Sequence, residues 1–194
     1  MAQIPLQKNT VSLTTLAMIA ALGIVVRMFV RIPVIPGFVE LTPGFLFSLL
    51  GGVIGGVPGG IFVGAIVGIG GAMGGGEPPL LPMIGNIFLG IGSGLAIHVT
   101  KERNSRKYAL MVVLGGGIIG GFIPTATVFA SLIDPIEVIL AGALLDMTQG
   151  FLWAIVALFV ERSIIRPIAG KHLYPEPEEP TLDESTMEAE DTME

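Results

Sequence analysis

Apolar runs of about membrane-spanning length, separated by short breaks rich in Pro, Gly or charge, set the pattern of this chain. Val11 to Val30 is a first run of 20 residues, with Arg27 near its far end and Arg31 just beyond it. At 1.5 Å per residue such a helix covers the roughly 30 Å of a bilayer's hydrocarbon core. The segment 31–40 (RIPVIPGFVE) cannot continue it, because two prolines three apart remove backbone donors and push the preceding residues to extended conformations. A structured surface loop is expected there. From Gly51 to Gly76 thirteen of twenty-six residues are glycine, and those at 52, 56, 60, 64 and 68 keep a spacing of four. As one helix, Leu41 to Met73 would be roughly 50 Å long, too long for one crossing. The reading is a close-packed hairpin, Leu41 to Val57 and Gly59 to Met73, folded back at Pro58-Gly59-Gly60, with the glycine stripe letting backbones approach. A second Pro/Gly break, 74–82, precedes a run from Met83 to Thr100. The basic loop 101–107 leads to Tyr108–Ser131, interrupted at Pro124, and Asp134-Pro135 turns the chain into Ile136–Val160.

The expected fold class is therefore all-α: an integral membrane bundle of about six transmembrane helices with structured Pro/Gly-rich outer loops. Composition agrees, since 52% of the 194 residues are hydrophobic and only 13% are charged, against about 25% charged in soluble domains. The formal charge of −6 changes the picture only at one end. Residues 176–194 hold nine Asp or Glu and no Lys or Arg, which leaves the rest with ten basic against seven acidic groups. The expected division is a membrane domain over 1–170 and a disordered acidic tail over 171–194. With no cysteine there are no disulfides or thiolate metal sites, and the first apolar run has no convincing signal-peptide cleavage site.

Six spans place Lys8, the four basic residues of 101–107 and Arg162, Arg166 and Lys171 on one side, with Arg27 and Arg31 opposite. The positive-inside rule makes the eight-charge side cytoplasmic, in a cell membrane, with both termini inside. Merging the hairpin into one span would satisfy charge bias too, so length and the Pro-Gly-Gly break decide for six. The loops 31–40 and 74–82 and the Asp134 turn then cap the outer end. Irregular backbone at membrane depth must be covered by protein or water, which implies an outward-facing ligand chamber.

Few polar residues lie inside the spans, and an ionisable one costs on the order of 2.5 to 3.5 kcal/mol on insertion scales. Asp146 is the sharpest candidate, with Gln149 and Trp153 three and seven residues on along one helix face. A carboxylate, an amide and an aromatic plate make a lining for a small polar ligand; the alternative is a scaffold role, with Asp146 paired to a hydroxyl or to Arg27. Asn86 offers a second amide or an interhelical hydrogen bond. Thr125 and Thr127 either contact the ligand or re-satisfy backbone freed by Pro124. Glu40, with Glu77, Asp134 and Glu137, would bias the mouth toward cationic or zwitterionic solutes, and Arg27 either balances an anionic group of a ligand or, as expected, snorkels to the interface. No protease, hydrolase, P-loop or phosphotransfer signature is present. The chain is expected not to be an enzyme, to hold no metal or cofactor, to bind no nucleic acid, and not to power transport by ATP itself.

The ordered set of Ala17-Met18-Ile19-Ala20-Ala21, the IPVIPG loop, the Leu41-Thr42-Pro43 start, the GGVIGGVPGGIFVG stretch, the Pro-rich third loop and the NxxxG run from Asn86 to Gly90 resembles the substrate-binding S component of energy-coupling factor (ECF) vitamin transporters. The resemblance covers about residues 11–166. It implies a six-helix bundle that binds a vitamin or related water-soluble micronutrient from outside, and delivers it by toppling in the bilayer. Its implied partners are a transmembrane T component and two cytoplasmic ATPases that use ATP, with Ala17 and Ala21 matching the family's docking surface on the first helix. Two other functions stay open from the residues alone: a glycine-rich structural or regulatory membrane protein that binds protein partners, and a stand-alone carrier in which Asp146 couples to a proton.

Overall fold

A computed structural model describes residues 6–35, 39–76, 78–130 and 135–175. Five helical segments in it are long and apolar enough to cross a membrane: Thr10–Phe29, Phe45–Gly75, Leu80–Val99, Arg106–Thr127 and Ile136–Leu173. They pack as an all-α bundle whose outer faces are belts of exposed apolar side chains, such as Leu13, Leu22 and Phe29 on the first helix and Leu144, Ile155 and Phe159 on the last. A soluble protein would turn these faces inward; here they suit lipid, and the chain is a multi-pass membrane protein.

The first helix, α1 (Thr10–Phe29), starts at Asn9, whose side chain accepts from the Ser12 N–H. The Pro-rich loop becomes an antiparallel ribbon, β1 (Ile32–Ile35) with β2 (Val39–Leu41), in the register Ile32 to Leu41 and Pro33 to Glu40. Helix α2 (Phe45–Gly75) is broken at Gly56, where φ 61° and ψ −158° define a conformation open only to glycine. The two halves lie side by side: a β-carbon on Gly51 would sit 2.6 Å from Val63 Cβ, and one on Gly59 2.7 Å from the Gly51 carbonyl. The fold-back expected at Pro58-Gly59-Gly60 thus occurs at Gly56. Pro58 falls in the first turn of the second half, where its missing N–H is harmless.

The glycine stripe chiefly serves another neighbour. Gly60, Gly64 and Gly68 meet the backbone of α3 (Leu80–Gly94) at Gly90, Asn86–Ile87 and Pro82–Met83, with virtual β-carbons 2.8 Å from Gly90 Cα, 2.7 Å from the Asn86 carbonyl carbon and 2.8 Å from Met83 N. The short α4 (Ala96–Val99) completes that span. The fifth span is α5 (Arg106–Leu114), wide π-type turns over Gly115–Phe122, and α6 (Ile123–Thr127). Pro124 does not interrupt it: the proline sits in the first turn of α6, and the wide turns before it absorb the lost bond. Then α7 (Ile136–Val160), another wide turn at Glu161–Ile165 and α8 (Arg166–Leu173) end the described chain. Residues 171–174 complete this last helix and its end, while the acidic stretch 176–194, Glu77, Ser131 and Asp134 lie outside the described residues.

The core is built from Leu49, Leu50, Val53, Ile54, Val63, Val67, Leu89, Val112 and Ala154. Two ends result. Near one, the Gln7 N–H donates to the Leu173 carbonyl and Asn9 Nδ2 to that of His172. Arg103, in the basic loop 101–107, stacks on the Tyr174 ring at 4.1 Å. Lys8, that loop, Arg162, Arg166 and Lys171 therefore share an end. Arg27, the β ribbon, and the start of α3 and end of α6 stand at the other.

Candidate functional site

At the end remote from the termini the helices part around a cavity of about 480 Å³. Its lining is mostly apolar or backbone, from Phe45, Leu81, Pro82, Leu89, Gly120, Gly121, Phe129 and Leu145, with Arg27, Glu40, Thr42, Asn86, Thr125, Asp146 and Gln149 as its polar members. An apolar cleft of this size with a few convergent polar groups is the usual form of a small-molecule site.

Five of the seven residues singled out from the sequence as ligand contacts meet here: Asp146, Gln149, Asn86, Thr125 and Glu40. Helix α7 sets Asp146 and Gln149 three residues apart on one face. The backbone of Gly121, in the wide turns before α6, packs against that of Asp146 on α7, within 2.6 Å of the Asp146 carbonyl carbon for a virtual β-carbon. Close approach brings Thr125 Oγ1 to 2.6 Å from Asp146 Oδ2, to which it donates. Among the described residues that is Asp146's one hydrogen-bond partner, so Oδ1 keeps its full accepting capacity. Gln149 Oε1 accepts from the Thr42 N–H at 3.0 Å, which ties the root of the ribbon to α7 and leaves the Gln149 NH₂ as a donor. Carboxylate and amide together present an acceptor beside a donor.

Asn86 serves the scaffold as well as the wall. Its Oδ1 accepts from Ser48 Oγ at 2.8 Å and its Nδ2 donates to the Pro82 carbonyl at 2.9 Å, so one amide hydrogen remains. Thr125 stands in the cavity wall, and its hydroxyl also lies 3.1 Å from the Gly121 carbonyl, the local backbone contact foreseen as one of its two readings. Glu40 is exposed at the rim.

Two candidates lie elsewhere. Trp153 sits one turn of α7 beyond Gln149, partly buried against the core cluster, because the cavity closes at Gln149. Thr127 is exposed, off the cavity wall, and its hydroxyl donates its one hydrogen to the Ile123 carbonyl. Glu137 is exposed and off the cavity wall.

Arg27 is the main residue that sequence reasoning set aside. Instead of reaching for the interface it lines the cavity, with its guanidinium 5.3 Å from the centroid of the Phe45 ring. Gly44 and Gly71 leave room for its stem, since β-carbons there would collide with it. The signal was available as an arginine two positions before the end of α1, level with the glycine-rich end of α2. Thr42 and Phe45 were missed because a backbone N–H and a helix-start aromatic carry no chemical signature. One cation and two carboxylates line the described wall, which favours a polar or zwitterionic guest over an anion.

Ala17 and Ala21 are both exposed on α1, as is Met18, whereas Leu16, Ile19 and Ala20 are buried. The pair faces out of the bundle.

No protein-family profile matches the chain, and no curated protein matches it. Among solved structures, the crystal structure of the S component for biotin from an ECF-type ABC transporter has a similar fold. The TM-score is 0.57 with 19% identity over 78% of this chain and 91% of that one.

Proposed function

We propose that this chain is the solute-capturing S component of an ECF-type importer. It takes a small water-soluble micronutrient from the outer side and delivers it with a T component and two ATPases that supply the ATP hydrolysis. The observation that carries this reading is the cavity itself. It is an apolar chamber at the end away from the basic loop, in which Asp146 Oδ1 and the Gln149 NH₂ stand ready beside Arg27. The similarity of fold to a biotin S component supports it. The eight basic residues gathered at the other end support a cytoplasmic placement of both termini, with the two halves of α2 counted as separate elements in a six-helix bundle. The exposed Ala17 and Ala21 would form part of the surface that meets the T component. In this reading the chain itself catalyses nothing.

The chemistry of the wall narrows the solute to one that offers an N–H donor to Asp146 and an acceptor to Gln149, and biotin is the first compound to test. A thermal-shift panel of vitamins and their precursors on the detergent-purified protein tests the reading. A ligand at 100 times its Kd stabilises the fold by about 2.7 kcal/mol. A shift with one compound that disappears in Asp146→Asn is the expected result. A cooperative melt that no compound moves, from a protein that copurifies with no T component, would sink it.

A further inference from the structure

At the end where Gln7 and Asn9 bond to α8, the basic residues, so far used only for orientation, form an exposed patch. Lys8, Lys101, Arg106, Lys107 and Lys171 are exposed there, and the single ion pair among the described residues, Arg166 with Glu161 at 2.7 Å, involves none of them. Glu102 is the one exposed carboxylate among them. The patch surrounds a fixed point. Tyr174 is held under Arg103, whose guanidinium lies 4.1 Å from its ring, and its hydroxyl donates to Glu161 at 2.8 Å. Burial pushes the Tyr174 phenol well above its ordinary value, so it remains a donor to that carboxylate at any working pH. Lys8 reaches the same point through the bonds from Gln7 and Asn9 to the end of α8. Two residues after Tyr174 begins the stretch 176–194, with nine carboxylates and no Lys or Arg.

We infer that the acidic segment 176–194 docks on this basic face, against Lys101, Arg106 and Lys107 in particular, and shields it from other anionic partners. Charge, reach and anchorage all favour this occupant. Nineteen residues extend up to roughly 60 Å, far more than is needed to reach a loop that already stacks on Tyr174. Tethering gives the segment a local concentration on the order of millimolar. The contacts are exposed ion pairs, individually weak and screened by salt, so the docked state gives way to a competitor with a denser negative charge. This inference is independent of what the cavity binds.

The test uses the full chain in nanodiscs of neutral lipid, treated with a zero-length carbodiimide cross-linker and digested for mass spectrometry. Cross-links joining 176–194 to Lys101 and Lys107 at low salt, lost at about 0.5 M NaCl, are the expected result. In parallel, a full-length variant with the nine carboxylates replaced by their amides should be cut by trypsin at Lys101, Arg106 and Lys107 several times faster than the parent at low salt, and equally fast at high salt. Both proteins must melt cooperatively. Cross-links confined to Lys171, which adjoins the segment in sequence, or equal cutting rates at low salt, would overturn the proposal. In a second arm with nanodiscs of anionic lipid, equal protection of both chains at low salt would overturn it too, by assigning the patch to headgroups.

Discussion

At the end that carries the termini, Arg103, Tyr108, Glu161, Arg166 and Tyr174 form a closed polar cluster. Buried Glu161 takes Arg166 through both of its oxygens, at 2.9 and 2.7 Å, together with the Tyr174 hydroxyl. Arg103 donates to the carbonyls of Val53 and Ile54, and the Tyr108 hydroxyl donates to Val53 as well. Those carbonyls end the first half of α2 just before its break at Gly56, where a helix leaves acceptors without intrahelical partners. At the opposite end, among the described residues, Asp146 has Thr125 as its one hydrogen-bond partner, and Gln149 spends only its oxygen. The residue types are comparable at the two ends, and the difference lies in satisfaction. Groups that spend their bonds on each other hold the bundle together, while groups that keep some in reserve around a void remain able to bond a guest.

This contrast can be broken most forcefully at the closed end. Glu161→Ala leaves Arg166 and Tyr174 without their shared acceptor, and should lower stability by about 3 kcal/mol, read as an earlier melt. The ligand-induced shift should survive in whatever fraction folds. Asp146→Asn should do the opposite, erasing most of the roughly 2.7 kcal/mol that saturating ligand contributes while moving the unliganded melt little. If the unliganded melt falls as far as that of Glu161→Ala, the carboxylate is structural and the two ends are alike. Gly56→Ala should cost about 2 kcal/mol, because a β-carbon is strained in that backbone conformation; an unchanged melt would mean that the halves of α2 are not held as described. A smaller effect is expected from Thr125→Val, which removes the hydroxyl that donates to Asp146 and should alter ligand affinity by about 1 kcal/mol, roughly fivefold in Kd. Trp153→Phe should leave ligand affinity unchanged, and a marked loss there would extend the cavity past Gln149.

Much of the fold was legible because membrane helices obey length and composition. The five long apolar segments fall where the runs suggested, and the glycines at 60, 64 and 68 do mark close backbone approach. Which helix they approach was not legible, because a stripe of small residues specifies distance and leaves the partner open. The placement of the turn at Gly56 was hidden in a stretch where glycine is everywhere, so that Pro58 drew attention two residues too late. Within the cavity, Asp146 and Gln149 stood out as polar residues on an apolar helix. Trp153 shared their face by periodicity, yet periodicity does not say at what depth a void ends. Arg27 was set aside because a long side chain near a helix end usually reaches for water, and only the gap left by Gly44 and Gly71 turns it inward.

The break at Gly56 divides α2 into halves of very unequal length. Phe45 to Gly55 rises about 16 Å, and Val57 to Gly75 about 28 Å. The shorter half begins at Phe45, in the cavity wall with Thr42 just ahead of it, so the start of that helix bounds the chamber. Its dimensions are thus an architectural given, set by where one helix begins, and its selectivity is a separate matter of a few side chains projecting from α7 and its neighbours. Changing what such a chamber accepts would mean rewriting those side chains while the room around them stays the same.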